Sequence, residues 1–463
     1  MNTKLLKQKI LDLAIRGKLS QQFKSDGTAA DLLKEICDRT QEKTSLRAKR
    51  GNPSPQTIIP LDKNEAPFEV PANWEWVRIG DIFNLQAGKN IAAGLISSTC
   101  EDGYYPCFGG NGLRGFVSCF NREGDYPLIG RQGALCGNIN RATGKFYATE
   151  HAVVVETNSM MNVSLACFFL TQLNLNQYAS STAQPGLSVA KINEVPIPLP
   201  PLAEQQRIVA KIEEAFAEID AIEKNKDLLK THIKQTRQKI LDLAIHGKLV
   251  PQNKSDEPAS ILLERITRDN PHYEKLTDIP FEIPESWEWV NAEDLFNIRS
   301  AIRIHQTDWQ KEGIPFFRGR ELVQLCKTGN VDFEIYISEK LYEENKRKGG
   351  VPQKNDILVS AVGTLGFAYV VKGNKPFYYK DAYILCFENR HNLNPFYFQH
   401  LIHSKFINKI IYGGSKGTTV DQLTIENAKK LPMPLPPLAE QKRIVNKIEE
   451  IFASLDEISL HLV

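Results

Sequence analysis

Near the start of the chain, apolar residues fall at spacings of four and three. Leu6, Ile10 and Leu13 predict an amphipathic helix over Lys4–Arg16 that Gly17 stops. Its string KQKILDLAIRGKL (Lys7–Leu19) returns as RQKILDLAIHGKL (Arg237–Leu249), identical at 11 of 13 positions. There it closes a much longer pattern. A four-three heptad seam runs through Ile208, Ile212, Ala215, Ile219 and Ile222, then Leu229, Ile233, Ile240 and Leu243, with polar Lys226 and Thr236 interrupting it. PLPPLAEQQRIVAKIEE (Pro198–Glu214), where that helix begins, recurs as PLPPLAEQKRIVNKIEE (Pro434–Glu450), identical at 15 of 17 positions. The second copy continues the seam as Ile444, Ile448, Ile451, Leu455, Ile458 and Leu462. A seam sustained this long calls for a partner helix. Residues 202–246 as one helix would extend about 65 Å at 1.5 Å per residue, longer than a compact core needs.

The segments between these helices follow a different rhythm. VPANWEWVRIGDIFNL (Val70–Leu85) matches IPESWEWVNAEDLFNI (Ile283–Ile298), so each half opens with the same Trp-Glu-Trp strand. Short β-branched and aromatic runs bounded by Gly, Asn and Pro follow, such as YYPCFGGNGLRGFV and DYPLIGRQGALCGNI in the first half and IPFFRGREL and DILVSAVGTLGFAYVV in the second. They predict mainly β structure with a few helices, one over Ser164–Leu173. Pro198, Pro200 and Pro201 are expected to end the strand region, because proline donates nothing to a ladder. SDGTAADLLKEI (Ser25–Ile36) and SDEPASILLERI (Ser255–Ile266) each predict a short capped helix, and Lys43–Pro60 a basic linker that is mobile. SEKLYEENKRKGG (Ser338–Gly350), an insertion found only in the second half, has a Ser cap, early acids, late bases and closing glycines, all marks of a helix.

Matching the repeats places the last residue at the equivalent of Asp227 and the first at the equivalent of Thr231. The expected fold is therefore α+β: two β-rich domains separated by a long antiparallel two-helix coiled coil, pseudo-twofold symmetric and circularly closed. The domains are expected at 1–19 (N-terminal helix, part of the second spacer rod), 20–200 (first β-rich domain), 201–249 (central spacer), 250–436 (second β-rich domain) and 437–463 (C-terminal helix).

Composition changes little in this picture. Hydrophobic content of 42% with 24% charged residues is that of a soluble globular protein. No apolar run spans a bilayer and the charged start is not a signal peptide, so the expected location is the cytoplasm. Net charge is +2, which makes any nucleic-acid surface a local patch. Cys100, Cys107 and Cys119 lack metal spacing, and no metal site is expected. GGSKGTT (Gly413–Thr419) lacks the spacing of a phosphate-binding loop. Asn394-Pro395-Phe396-Tyr397 resembles the amine-holding turn of amino-methyltransferases without its second proline, and its counterpart Met161-Asn162-Val163-Ser164 makes a helix start the simpler reading. His151 and Asp381 fall at equivalent places with no acid-base partner and are expected to be structural. No catalytic set emerges.

Taken together, the doubled PLPPLAEQ-RIV-KIEE, the doubled QKILDLAI-GKL and the paired Trp-Glu-Trp strands resemble the specificity subunit of type I restriction-modification enzymes over essentially the whole chain. That resemblance implies that each β-rich domain is a target recognition domain for one half of a bipartite double-stranded DNA sequence, with the helices setting the gap. It implies partners, too: two modification (methyltransferase) subunits that methylate adenine, and restriction subunits that translocate and cut. S-adenosylmethionine, ATP and Mg²⁺ would belong to those partners, leaving this chain without cofactor or catalysis of its own. Base edges are read by Arg, Lys, Asn and Gln, and the candidates are Asn111, Arg114, Arg131 and Gln132, then Arg318, Arg320, Lys346, Arg347, Lys348, Ser415, Lys416 and Thr418. Solvated surface loops are the plain alternative for each. Two other functions remain open at this point, a self-contained DNA-modifying enzyme and a coiled-coil scaffold without a DNA role.

Overall fold

The structure is a computed structural model that describes residues 2–35, 61, 65–133, 135–180, 186–268, 273–373, 375–413 and 421–462. The linker Lys43–Pro60 and the candidates Ser415, Lys416 and Thr418 lie outside the described residues. The chain divides into two compact units, Met1–Asn225 and Lys226–Val463, each of mixed α and β structure.

In each unit the two motifs repeated in the sequence pair with one another. The Trp-Glu-Trp strand Glu75–Arg78 runs antiparallel to Pro196–Leu199, with Trp76 opposite Pro198. In the second unit Glu288–Asn291 runs antiparallel to Pro432–Leu435, with Trp289 opposite Pro434. Pro198 thus lies inside the strand it was expected to end, whereas Pro200 and Pro201 follow its last residue, Leu199. A two-stranded ribbon leaves one edge of each strand free, and an edge is where proline's missing donor is tolerated.

The main sheets share a framework. In the first unit the order is Asn84–Ala87, Ala152–Glu156, Arg122–Gly130, Ile139–Ala148, Tyr105–Gly109, Gly112–Val117. In the second, Asn297–Ser300, Ile384–Glu388, Ile357–Ser360 and Ala368–Val370 form the matching four strands. The first unit's long strand Ile139–Ala148 also pairs parallel with Tyr105–Gly109, and this contact survives in the second as Ile314–Phe317 beside Tyr378–Tyr379. After that strand the units part. The first turns back through a tight hairpin into Gly112–Val117, whereas the second enters helix Gly319–Thr328 and later helix Glu339–Arg347. The latter is the inserted helix read from the sequence, with the Ser338 hydroxyl accepting from the Leu341 N–H at 3.2 Å. The former was read as strand and turn.

Helix Leu202–Ile245 is continuous over 44 residues. Within the first unit helix Thr3–Ile15 lies antiparallel to its opening part, Thr3 bonding Glu223 and Lys7 pairing with Asp220. Within the second unit helix Leu438–Leu460 lies antiparallel to its closing part, with Arg237 on Asp456 at 2.5 Å. Ile208, Ile212, Ile219, Ile233, Ile444 and Ile448 are buried, and Ile240, Leu243, Ile451 and Leu455 half-buried. Ile222, Leu229 and Ile458 are exposed, which departs from a fully packed seam. In the first unit the terminal helix starts opposite Glu223, so Ile222 sits at the end of that pairing. Near its end, the long helix also buries Leu241, Ala244 and Ile245 rather than Leu243, because its last turns face the domain core around Trp287 instead of a partner helix. Leu11, Ala14 and Ile15 repeat this around Trp74, leaving Leu6, Ile10 and Leu13 half-buried.

Both of these helices stop at a glycine with φ of 65°, Gly17 and Gly247. A Cβ on Gly247 would sit 2.4 Å from Pro284 Cγ and 3.3 Å from Trp287 Cζ2. Gly247→Ala is therefore expected to lower stability by about 2–4 kcal/mol, through left-handed strain and overpacking together. Gly94→Ala, which meets open space, serves as the control in urea unfolding.

Candidate nucleic-acid interface

Two glycine-rich strings that are remote in sequence form the walls of one cavity in the first unit. The hairpin turn at Gly110-Asn111 packs against the end of strand Arg122–Gly130, so closely that a Cβ on Gly130 would lie 1.9 Å from Gly110 O. Gly112, at φ 101°, turns the chain beside Asn140. Only glycine permits this backbone approach. The resulting cavity of 490 Å³ is lined by Asn111, Arg114, Gln132 and His151 among glycines and Leu113. The structure thus gathers three of the four candidates of the first half. Arg131 stands just outside, half-buried, its N–H donating to His151 O at 3.0 Å and its carbonyl accepting from Leu187 N at 2.9 Å. His151, expected to be structural, lines the cavity with Nε2 3.2 Å from Glu150 Oε1.

The second unit has a cavity of 690 Å³ at the same end of the shared framework. The bonds that flank Arg131 recur there, Ala361 N donating to Tyr383 O and Leu423 N to Ala361 O, both at 2.8 Å. The bridge of Gln132 to Gly186 likewise recurs as Val362 to Gln422. Tyr383, rather than Asp381, is the counterpart of His151. The lining differs sharply, with Arg318, Arg320, Gln324, Lys327, Lys380, Trp309 and Tyr383. Lys380 Nζ lies 5.2 Å from the Tyr383 ring centre and 6.0 Å from that of Trp309. The buried indole N–H of Trp309 finds no acceptor among the described residues.

The two arginines singled out from the sequence prove to be paired. Arg318 caps helix Gly319–Thr328, its N–H donating to Glu321 Oε2 at 3.0 Å and its guanidinium to the same carboxylate at 2.5–3.2 Å. Arg320 Nε reaches Glu321 at 2.7 Å and Arg320 Nη2 bonds Glu334. Burial pushes the Glu321 carboxyl up, but the bonds from Arg318 and Arg320 outweigh it and hold it below the usual range. The pairing came from carboxylates that periodicity does not link to these arginines. Lys346, Arg347 and Lys348 are exposed at the C-terminal end of helix Glu339–Arg347, away from the cavity lining. There they complement the negative end of the helix dipole, and Lys346 also pairs with Glu343 at 3.0 Å. No pattern in the sequence singles out Lys380, Trp309 or Tyr383: Lys380 and Tyr383 follow strand Tyr378–Tyr379, and Trp309 lies far away in the chain, just after the turn Gln306–Asp308. Helix Gly319–Thr328 did carry a signal, namely Leu322, Leu325 and Cys326 at helical spacing before Gly329.

The Asn394-Pro395 turn is a helix start. Asn394 caps Pro395–Ile402 and Asn162 caps Val163–Gln172, and each of these backbone N–H groups donates to a buried glutamine of the Ala-Glu-Gln motif, Gln441 at 3.0 Å and Gln205 at 2.8 Å. Among the described residues no group of three His, Cys, Asp or Glu is placed to hold a metal ion, and no helix is long and apolar enough to cross a membrane.

The family described as the type I restriction modification DNA specificity domain matches residues 71–231 and 284–460. The EcoprrI specificity subunit of Escherichia coli is 50% identical over 139 residues, which is 30% of this chain and 34% of that protein. The chain therefore spans about a third of that relative in the match. A putative type I specificity subunit of Haemophilus influenzae is 28% identical over 392 residues, 83% of this chain and 89% of its own. A solved chain from a type I system, described for complex assembly and conformational transition, covers 86% of this chain and 94% of its own at a TM-score of 0.55 and 19% identity, a likeness of fold. With the family matched twice, once in each unit, and a relative similar over most of the chain, the protein belongs to the specificity subunits of type I restriction-modification systems.

Proposed function

We propose that this chain reads a bipartite double-stranded DNA target, one half-site per unit, through the two cavities at the equivalent sheet ends. The observation that carries this reading is the contrast between a shared framework and unlike linings: matching backbone bonds at Arg131 and Ala361 flank a cavity lined by Asn111, Arg114, Gln132 and His151 in one unit and by Arg320, Lys327, Lys380 and Tyr383 in the other. Amides and guanidinium groups suit base edges, and lysines suit phosphates. Two unlike heads suit an asymmetric target. Among the earlier candidates Arg318 is assigned to fold the second head rather than to touch DNA, and Lys346, Arg347 and Lys348 to a peripheral role at most.

In this reading helix Leu202–Ile245 and the two terminal helices form the antiparallel coiled coil of a circularly closed fold, and its length sets the unread gap. The subunit docks two modification subunits and restriction subunits, which bring S-adenosylmethionine, ATP and Mg²⁺ and carry out adenine methylation or cleavage. Its exposed seam residues Ile222 and Leu229 are available for such docking. The test is a methylome of cells carrying this chain with its modification subunits. The expected result is methyladenine within one asymmetric, interrupted motif, and exchange of residues 86–190 for those of a relative should change one half of that motif. No motif, or a change in both halves, would overturn the reading.

A further inference from the structure

Two arginines and two glutamates form a charge-balanced quartet at the second cavity, and its members differ in how far they are free to move. Glu321 has 3% of its side chain exposed and is bound into the first turn of its helix. Arg318, 21% exposed, spends its fork on that carboxylate. Separating them would strand a buried charge, which is strongly unfavourable. Arg320 and Glu334 are 58% and 70% exposed. A pair so open to water contributes little and exchanges readily. Glu334 is therefore the one carboxylate of the four that can let go. Its segment is held in place by Phe333, whose ring packs on Phe317 at 4.8 Å.

We propose that Glu334 is a specificity-determining guard of the second reading head, an assignment that rests on the reading of this cavity as a DNA contact. Its carboxylate occupies the Nη2 edge of Arg320, and lies 3.4 Å from Arg318 Nη2, until DNA displaces it; Arg320 stays anchored through Nε to Glu321, and the displaced charge then stands beside the phosphates. A guanine edge, which accepts two bonds from one guanidinium, competes favourably with the exposed pair. A lone phosphate contact carries no such surplus and must also tolerate the freed carboxylate. The guard thus taxes wrong sequences more than right ones, a form of specificity that rests on repulsion as much as attraction.

The experiment compares the full chain with Glu334→Gln, Arg320→Ala and the double variant, using fluorescence anisotropy on a short duplex of random sequence at low and moderate salt. Glu334→Gln is expected to bind this non-specific DNA roughly three- to tenfold tighter and with a steeper salt dependence, because the Nη edge of Arg320, still anchored through Nε to Glu321, opens to phosphate. The gain should vanish when Arg320 is already Ala. Equal affinity of Glu334→Gln and wild type would overturn the guard. A gain that persists without Arg320 would overturn it too, since that is a general charge effect. If no variant binds duplex DNA under any condition, the DNA reading of the cavity falls, and the guard with it.

Discussion

Glu204→Ala is expected to destabilise the first unit by about 3–5 kcal/mol, the range for removing one partner from a buried charged network. Four donors converge on that carboxylate: Trp74 Nε1 at 2.8 Å, Ser20 Oγ at 2.9 Å, Gln22 Nε2 at 3.0 Å and Asn73 Nδ2 at 3.4 Å. Glu204 is fully buried in the first turn of the long helix, where the positive end of the dipole also favours it. Truncation leaves the buried Trp74 Nε1, and with it Ser20 Oγ and Asn73 Nδ2, without this acceptor, while Gln22 keeps Gly17 O and Ser20 O; an unmet buried donor costs about 1–3 kcal/mol. Glu440 repeats the role with Trp287 Nε1 at 3.0 Å and Gln252 Nε2 at 2.6 Å. Burial raises its carboxyl pKa, while those two bonds work the other way. With fewer donors, Glu440→Ala should lose less than Glu204→Ala. Urea unfolding followed by tryptophan fluorescence checks both, with Glu214→Ala, an exposed partner of Lys211, as the near-neutral control. A wild-type midpoint for Glu204→Ala would show that the network contributes nothing.

Gln132→Ala is expected to relax recognition at one or two base positions of a single half-site, by about ten- to a hundredfold in discrimination, the worth of one good amide-to-base pair. Its backbone is pinned by the bridge to Gly186 and its side chain lines the glycine-walled cavity beside Asn111. Asn111→Ala should act at the same half-site. Arg114→Ala should likewise relax that half-site, and a uniform loss across all sequences would assign its guanidinium to phosphate instead. Sequencing methylated adenines in cells carrying each variant with the modification subunits checks this. Changes in both half-sites, or in neither, would count against the assignment.

The repeats made the organisation legible, but not the contacts. Glu204 and Gln205 stood in plain view inside PLPPLAEQ, yet their partners Trp74 and Asn162 are 130 and 43 residues away and no spacing rule links them. The strand Pro196–Leu199 looked like a terminator because a propensity argument counts prolines without knowing which edge is free. Helix Gly319–Thr328 was hidden by the flanking strand-like residues of IPFFRGREL. In the first unit, glycine spacing drew attention to residues that share one cavity, since glycine marks where a backbone can come close, as Gly110 does to Gly130. In the second, Arg318 and Arg320 drew attention as free cations when Glu321 and Glu334 already hold them. Charge at a distance is what a linear reading misses.

Helix Thr3–Ile15 and its partner on the long helix are some 220 residues apart in the chain. During synthesis at about 5–20 residues per second, the helix would therefore wait roughly 10–40 s before residues near Glu223 emerge. For that interval Leu11, Ala14 and Ile15 have no completed core to enter. A helix this short is marginal in water by itself. This helix is thus among the last elements of its unit to be secured, and until Glu223 emerges the nascent chain is exposed there to chaperones, proteases and mispairing.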